Sequence, residues 1–266
     1  MTVHYTQMSY RDIASSYNRI NFITDEAALE VGRAVARITG PGRVVDLGGG
    51  AGRITVPLAA AGLEAVGLDL EYNMLQAAGL RATDFDAYLG LVNGDVTRLP
   101  FPNESFDGAI TTSVLHLVPD WHKALAEAAR VIKPGSRLII GRNVLDADSC
   151  AGVFRSQLRR IAGTVDPSIR PTEAAGPALF DYLTDTMGGK PDRPVTAASW
   201  KEQVSPNELL TRVRERTHNE AWALSEETHR EVVAQLTPWV AEHFDDPDRK
   251  QAARSEFILY AIGGLA

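Results

Sequence analysis

Residues 44–53 read Val-Val-Asp-Leu-Gly-Gly-Gly-Ala-Gly-Arg, an apolar run that passes directly into four glycines. Few folds accommodate this pattern. Val44, Val45 and Leu47 suit a buried strand, and the glycines let the backbone turn tightly and approach a ligand. Helical sequence from Arg53 to Ala61 would then present its N-terminus to that ligand. Pro57 is the blemish in that helix, because it lacks an N–H and is expected to start or kink a turn.

The strand–turn–helix unit repeats. Short Val-, Ile- and Leu-rich runs at Arg43–Leu47, Glu64–Leu68, Tyr88–Val92, Phe106–Thr112 and Arg137–Ile140 alternate with stretches of helical periodicity. Such alternation predicts a doubly wound, mostly parallel α/β sheet. Two further apolar runs, from Val195 to Trp200 and Phe257 to Ile262, bring the expected strands to seven. Ahead of the core, Ile13, Tyr17 and Ile20 fall at helical spacing within Tyr10–Ile20, and Glu26–Ile38 forms a second helix closed by Gly40-Pro41-Gly42. The chain thus divides into an N-terminal helical cap (1–41), a ligand-binding core (42–142), a helical insertion broken by Pro and Gly (143–194) and C-terminal helices and strands that complete the core (195–266). The insertion follows the fifth strand and is expected to act as a lid, with Phe154, Phe180, Tyr182 and Met187 as candidates for an apolar substrate wall.

Charge narrows the partners. Lys and Arg total 27 against 34 Asp and Glu, a net charge of -7, so nucleic acid is not an expected partner. A single cysteine, Cys150, and scattered histidines offer no zinc-ligand spacing and no metal is expected. With no run of about 18 apolar residues, the expectation is a cytoplasmic protein without a membrane partner, monomeric or homodimeric.

The glycine turn departs from the dinucleotide pattern G-x-G-x-x-G, since Arg53 stands where its third glycine belongs. Its actual form is Asp46-x-Gly48-x-Gly50-x-Gly52, with a carboxylate suited to a cationic amino group rather than a pyrophosphate. Asp69 ends the next strand 21 residues after Gly48, a spacing that suits ribose hydroxyls. Gly94-Asp95-Val96 follows the third strand, then Leu99-Pro100-Phe101 and Ser105-Phe106-Asp107. Ala129 to Ser136 precedes the fifth.

Together these segments resemble the motifs of class I S-adenosylmethionine-dependent methyltransferases, strongly over Gly42–Arg142 and weakly outside it. The resemblance implies a seven-stranded Rossmann-like sheet and S-adenosyl-L-methionine as cofactor. It places Asp46, Gly48, Gly50 and Gly52 at the methionine portion, Asp69, Leu70 and Met74 at the adenosine, and Gly94, Asp95 and Val96 at the adenine. Ser113 belongs beside the methionine end, and Tyr17 resembles a tyrosine that folds over the cofactor, although Asn18 replaces the family's Asp after it.

Methyl transfer by in-line displacement needs orientation and exclusion of water, and a base only where the acceptor must lose a proton early. His116, after the fourth strand, is the candidate catalytic residue, either as that base or as a pocket wall. No [N/D]-P-P-[Y/F] segment follows that strand, which favours a small-molecule methyl acceptor with an O, N or C target. An NAD(P)-dependent oxidoreductase and a non-catalytic S-adenosylmethionine-binding protein are the alternatives.

Overall fold

Every residue of β1 (Arg43–Leu47) after the first is buried, as a strand covered on both faces requires. It pairs in parallel with β2 (Glu64–Asp69) on one side and β4 (Phe106–Thr112) on the other. β3 (Gly90–Asn93) extends the sheet beyond β2, and β5 (Ile132–Leu145) beyond β4, both parallel. In this computed structural model residues 23–169, 173–218, 220–221 and 224–265 are described. The expected helix over Tyr10–Ile20, and Tyr17 with it, lies outside them.

The sheet order is β3-β2-β1-β4-β5-β8-β6, with β7 (Val195–Val204) paired to β8 (Gln251–Gly263) off this path. The two-residue β6 (Lys190–Pro191), antiparallel to β8, makes eight strands among the described residues where seven were expected. The connection from β1 runs to β2 and the return runs to β4, so the order reverses at β1. Open α/β sheets bind ligands at such a reversal, outside the C-terminal ends of the strands.

Helices α1 (Asp25–Thr39), α2 (Thr55–Ala60), α3 (Tyr72–Asp84) and α4 (Trp121–Val131) connect or flank these strands. Thr24 caps α1 by accepting from Ala27 N at 3.1 Å, and Asp120 caps α4 by accepting from Lys123 N at 3.2 Å. α2 is shorter than expected because the turn continues through Ile54. Pro57 then falls at its third position, where a helical N–H has no intrahelical partner, so the proline costs no hydrogen bond.

The chain forms two compact units. One comprises Ile23–Asn143, Pro171–Ala198 and Phe257–Ala266, and its core includes Val45, Leu68, Phe106, Leu138 and Ile262. The other comprises Val144–Arg170 and Ser199–Glu256. Among its described residues α5 (Cys150–Val165), α7 (Pro206–Arg214) and α8 (Glu226–His243) pack around Phe154, Leu158, Leu210, Val232 and Leu236.

The segment expected as an insertion, 143–194, is shared between the two units. Its first half has the helical apolar periodicity of a core element and joins the second unit. The rest, including α6 (Pro177–Asp181) and the π turn Tyr182–Thr186 that continues it, belongs with the sheet. Phe154 is fully buried in the second unit's core and Met187 is buried in the first, so neither is a substrate wall. Phe180 and Tyr182 remain half-buried.

Candidate active site

Gly48, Gly50 and Gly52 have φ of 77°, 54° and 74°, a left-handed alternation open to glycine at little steric cost. The turn is pinned to the neighbouring strand, because Gly48 N and Gly49 N both donate to Leu68 O, at 2.8 and 3.0 Å. A side-chain carbon on Gly48 would fall 2.5 Å from Val114 Cγ2, and one on Gly50 would fall 3.2 Å from Met74 Cε. The end of β1 therefore meets the loop after β4 on one side and α3 on the other.

Asp69 holds this turn from β2. Its Oδ2 accepts from Gly50 N and its Oδ1 from Glu71 N, each at 2.9 Å. Burial raises the carboxyl's pKa above the usual range, and the two backbone N–H donors oppose that rise. A carboxylate has about four acceptor positions, so Asp69 retains capacity for ligand hydroxyls. Asn93 Nδ2 donates to Asp69 O at 3.0 Å and to Leu70 O at 2.8 Å, and Gly94 N donates to Asp69 O at 3.0 Å. These bonds join the ends of β2 and β3.

Asp46 is buried, and its Oδ2 accepts from Thr55 Oγ1 at 2.7 Å. Burial pushes its carboxyl up to about 6, against the Thr55 hydroxyl bond and the Arg53 charge, while the charge of Asp69 adds to the rise. The expectation of a carboxylate beside a cationic ligand thus acquires a second element, a clamp between β1 and the first residue of α2.

The other expected contacts are more dispersed. Leu70 is 69% exposed, so its side chain lies in solvent at the strand end, whereas Val96 packs in the core. Asp95 is exposed, and its Oδ1 accepts from Thr97 N and Thr97 Oγ1 at 2.8 and 2.9 Å, which hold its pKa below the usual carboxylate range. Ser113 has φ 57°, a left-handed conformation that costs a non-glycine residue on the order of 1 kcal/mol or more. It turns the chain out of β4 into the 3-10 turn Leu115–Leu117, which carries a half-buried His116.

Of the residues singled out in the sequence, Asp46, Gly48, Gly50, Asp69, Met74, Gly94 and Ser113 lie at or beside the C-terminal ends of β1 to β4. Sequence reasoning missed Thr55 and Asn93. The signal for Asn93 was an amide ending an apolar strand; Thr55 carried no signal beyond its place one helical turn after the glycines.

Residues 45–140 match the family described as methyltransferase domain. A Renibacterium salmoninarum protein named demethylmenaquinone methyltransferase is 30% identical over 208 residues, covering 76% of this chain and 84% of the relative. One of the same name from a Mycobacterium species is 34% identical over 170 residues, covering 61% and 70%.

The fold is shared with solved structures at low identity. YcgJ from Bacillus subtilis superposes with a TM-score of 0.58 at 18% identity, covering 91% of this chain and all of that one. A Haemonchus contortus phosphoethanolamine N-methyltransferase in complex with S-adenosylhomocysteine gives 0.54 at 19%, covering 98% of this chain and 58% of that one. The chain belongs to the class I S-adenosylmethionine-dependent methyltransferases and is an enzyme of that family. Membership decides against the oxidoreductase alternative. Among the described residues no helix is long and apolar enough to cross a membrane.

Proposed function

We propose that this chain binds S-adenosyl-L-methionine at the C-terminal ends of β1 to β4 and transfers its methyl group to an oxygen, nitrogen or carbon of a small-molecule acceptor. The observation that carries this reading is the left-handed turn at Gly48, Gly50 and Gly52, set between two buried or half-buried carboxylates, Asp46 and Asp69. A cradle of that shape and charge fits a ligand with an ammonium at one end and vicinal hydroxyls at the other. When bound, the cofactor supplies an electrophilic methyl on a sulfonium, whose carbon–sulfur bond breaks with the electron pair passing to sulfur.

The residues divide the remaining work. Asp46 opposes the positive end through the turn it clamps, and Asp69 accepts from hydroxyls on the far side of Gly50. Met74, with its Cε against the turn, and Gly94 with Asp95 close the adenosine side. Ser113 sets the direction in which the chain leaves β4, and His116 takes the acceptor proton as general base. The relatives' name supports a bicyclic aromatic acceptor, so hydroxylated naphthalenes with and without an acidic substituent head the panel to assay.

The test is calorimetric titration with S-adenosylmethionine, S-adenosylhomocysteine and NAD, followed by methyl-transfer assays over that panel. Micromolar binding of the first two is expected. Binding of NAD alone would overturn the reading.

A further inference from the structure

The cofactor residues occupy the ends of β1, β2 and β3 and reach the end of β4 only at Ser113, which leaves the turn beyond Ser113 and the end of β5 to the acceptor. Thr112 of β4 pairs with Gly141 of β5, so Arg142 is the next residue along, level with Ser113. Side chains alternate along a strand, and Leu138 and Ile140 lie in the apolar core that also contains Leu115 and Trp121. Arg142 therefore emerges at the C-terminal rim of that face, the face that carries the turn bearing His116.

Its guanidinium is braced on two rings. The guanidinium carbon lies 4.8 Å from the ring centre of Phe180 and 6.0 Å from that of Tyr260, and the two rings are 5.0 Å apart. Ring contact restricts the side chain's rotamers and leaves the N–H edge available. Among the described residues, no carboxylate pairs with Arg142 and no atom accepts a hydrogen bond from it. Arg137 of the same strand pairs with Asp192 at 2.7 Å, and Arg130 pairs with Glu127 at 2.7 Å. In a chain with seven more acidic than basic residues, a half-buried guanidinium without a carboxylate stands apart.

We propose that Arg142, held by Phe180 and Tyr260, is the anion-recognition point of the acceptor site and selects a flat acceptor bearing a carboxylate. The planar fork matches a carboxylate in bidentate fashion, and the rings offer an apolar surface to the acceptor's body. This inference rests on the methyltransferase reading above. Arg142 is assigned to specificity and takes no part in proton transfer.

The test uses the full chain saturated with S-adenosylhomocysteine, titrated separately with 1-hydroxy-2-naphthoate and with 1-naphthol, which lacks the carboxylate. The wild type should bind the acid at least about tenfold tighter. R142Q should weaken the acid on the order of tenfold to a hundredfold, the range for hydrogen bonds to a charged group, and leave 1-naphthol and S-adenosylhomocysteine within about twofold. R142K, which keeps the charge without the fork, should fall between.

Equal affinity for the two probes, or binding of neither, would overturn the proposal while leaving the cofactor reading intact. Equal weakening of both probes by R142Q, or its loss of S-adenosylhomocysteine binding, would reduce Arg142 to a support for the rings. Failure of the wild type to bind S-adenosylhomocysteine would remove the earlier reading, and this one with it.

Discussion

Replacing Asp46 with Asn should change how stability depends on pH. The Asp46 carboxyl is buried, and its pKa stands at about 6 in the folded chain against an ordinary value of 3.8. Between those values the folded state holds a proton that the unfolded state has released, so stability falls as pH rises. Each pH unit of that difference corresponds to about 1.4 kcal/mol, so the group alone removes about 3 kcal/mol over its whole titration and about 2 kcal/mol of that between pH about 4 and pH about 7. The stabilising contribution is fully present below the unfolded value and lost as pH rises through the folded one.

Asp46→Asn removes the ionisation and keeps an oxygen to accept from Thr55. The amide introduces N–H donors whose burial costs on the order of 1–3 kcal/mol, but that cost is the same at every pH. Urea unfolding followed by circular dichroism, on both proteins at several pH values from about 4 to about 7.5, isolates the titrating part. The stability difference, variant minus wild type, should rise by about 2 kcal/mol across the range. A difference that stays flat to within about 0.5 kcal/mol would refute a buried Asp46 with a raised pKa. The same variant should bind S-adenosylmethionine more weakly, since the charge that disfavours the empty fold is the one that favours a cationic ligand.

Three further substitutions probe the site. Asp69→Ala should weaken S-adenosylmethionine by about 1–3 kcal/mol in calorimetry, because it removes the acceptor for buried hydroxyls and frees Gly50 N; unchanged affinity would take Asp69 out of the cofactor site. Gly50→Val should abolish detectable binding, as a branched side chain at φ 54° is strained and its Cβ meets Met74 Cε; retained binding would show that the turn does not approach the ligand. His116→Ala should lower kcat at least about a hundredfold while leaving cofactor affinity unchanged, and a rate within a factor of a few would end its assignment as base.

The parts of the fold legible in sequence were those in which backbone and side chains state the same preference. β1 and β4 begin and end where their apolar runs do, because both faces are covered and alternation gives way to continuous hydrophobicity. β5 was legible only at its centre. Ile132–Ser136 reads as a turn through Pro134-Gly135, yet Ile132 pairs with Phe106 across an irregularity in register. The glycine turn was legible because left-handed backbone favours one residue type. The clamp of Asp46 on Thr55 was not, since it depends on which way a side chain turns once buried. The partners of α5 were not legible for a related reason: it carries the periodicity of any amphipathic helix, which does not say what it packs against.

The order in which the strands are made bears on how the enzyme reaches its folded state. β8, drawn from residues 251–263, lies between β5 and β6. Until those residues leave the ribosome, β5 has no neighbour on that side and presents a row of unpaired amides and carbonyls, a template for pairing with another chain. The glycine turn and Asp69 are synthesised long before, so cofactor elements can assemble on an unfinished sheet. A nascent chain stalled before residue 251 would be the form most exposed to aggregation, and chaperone demand should concentrate there.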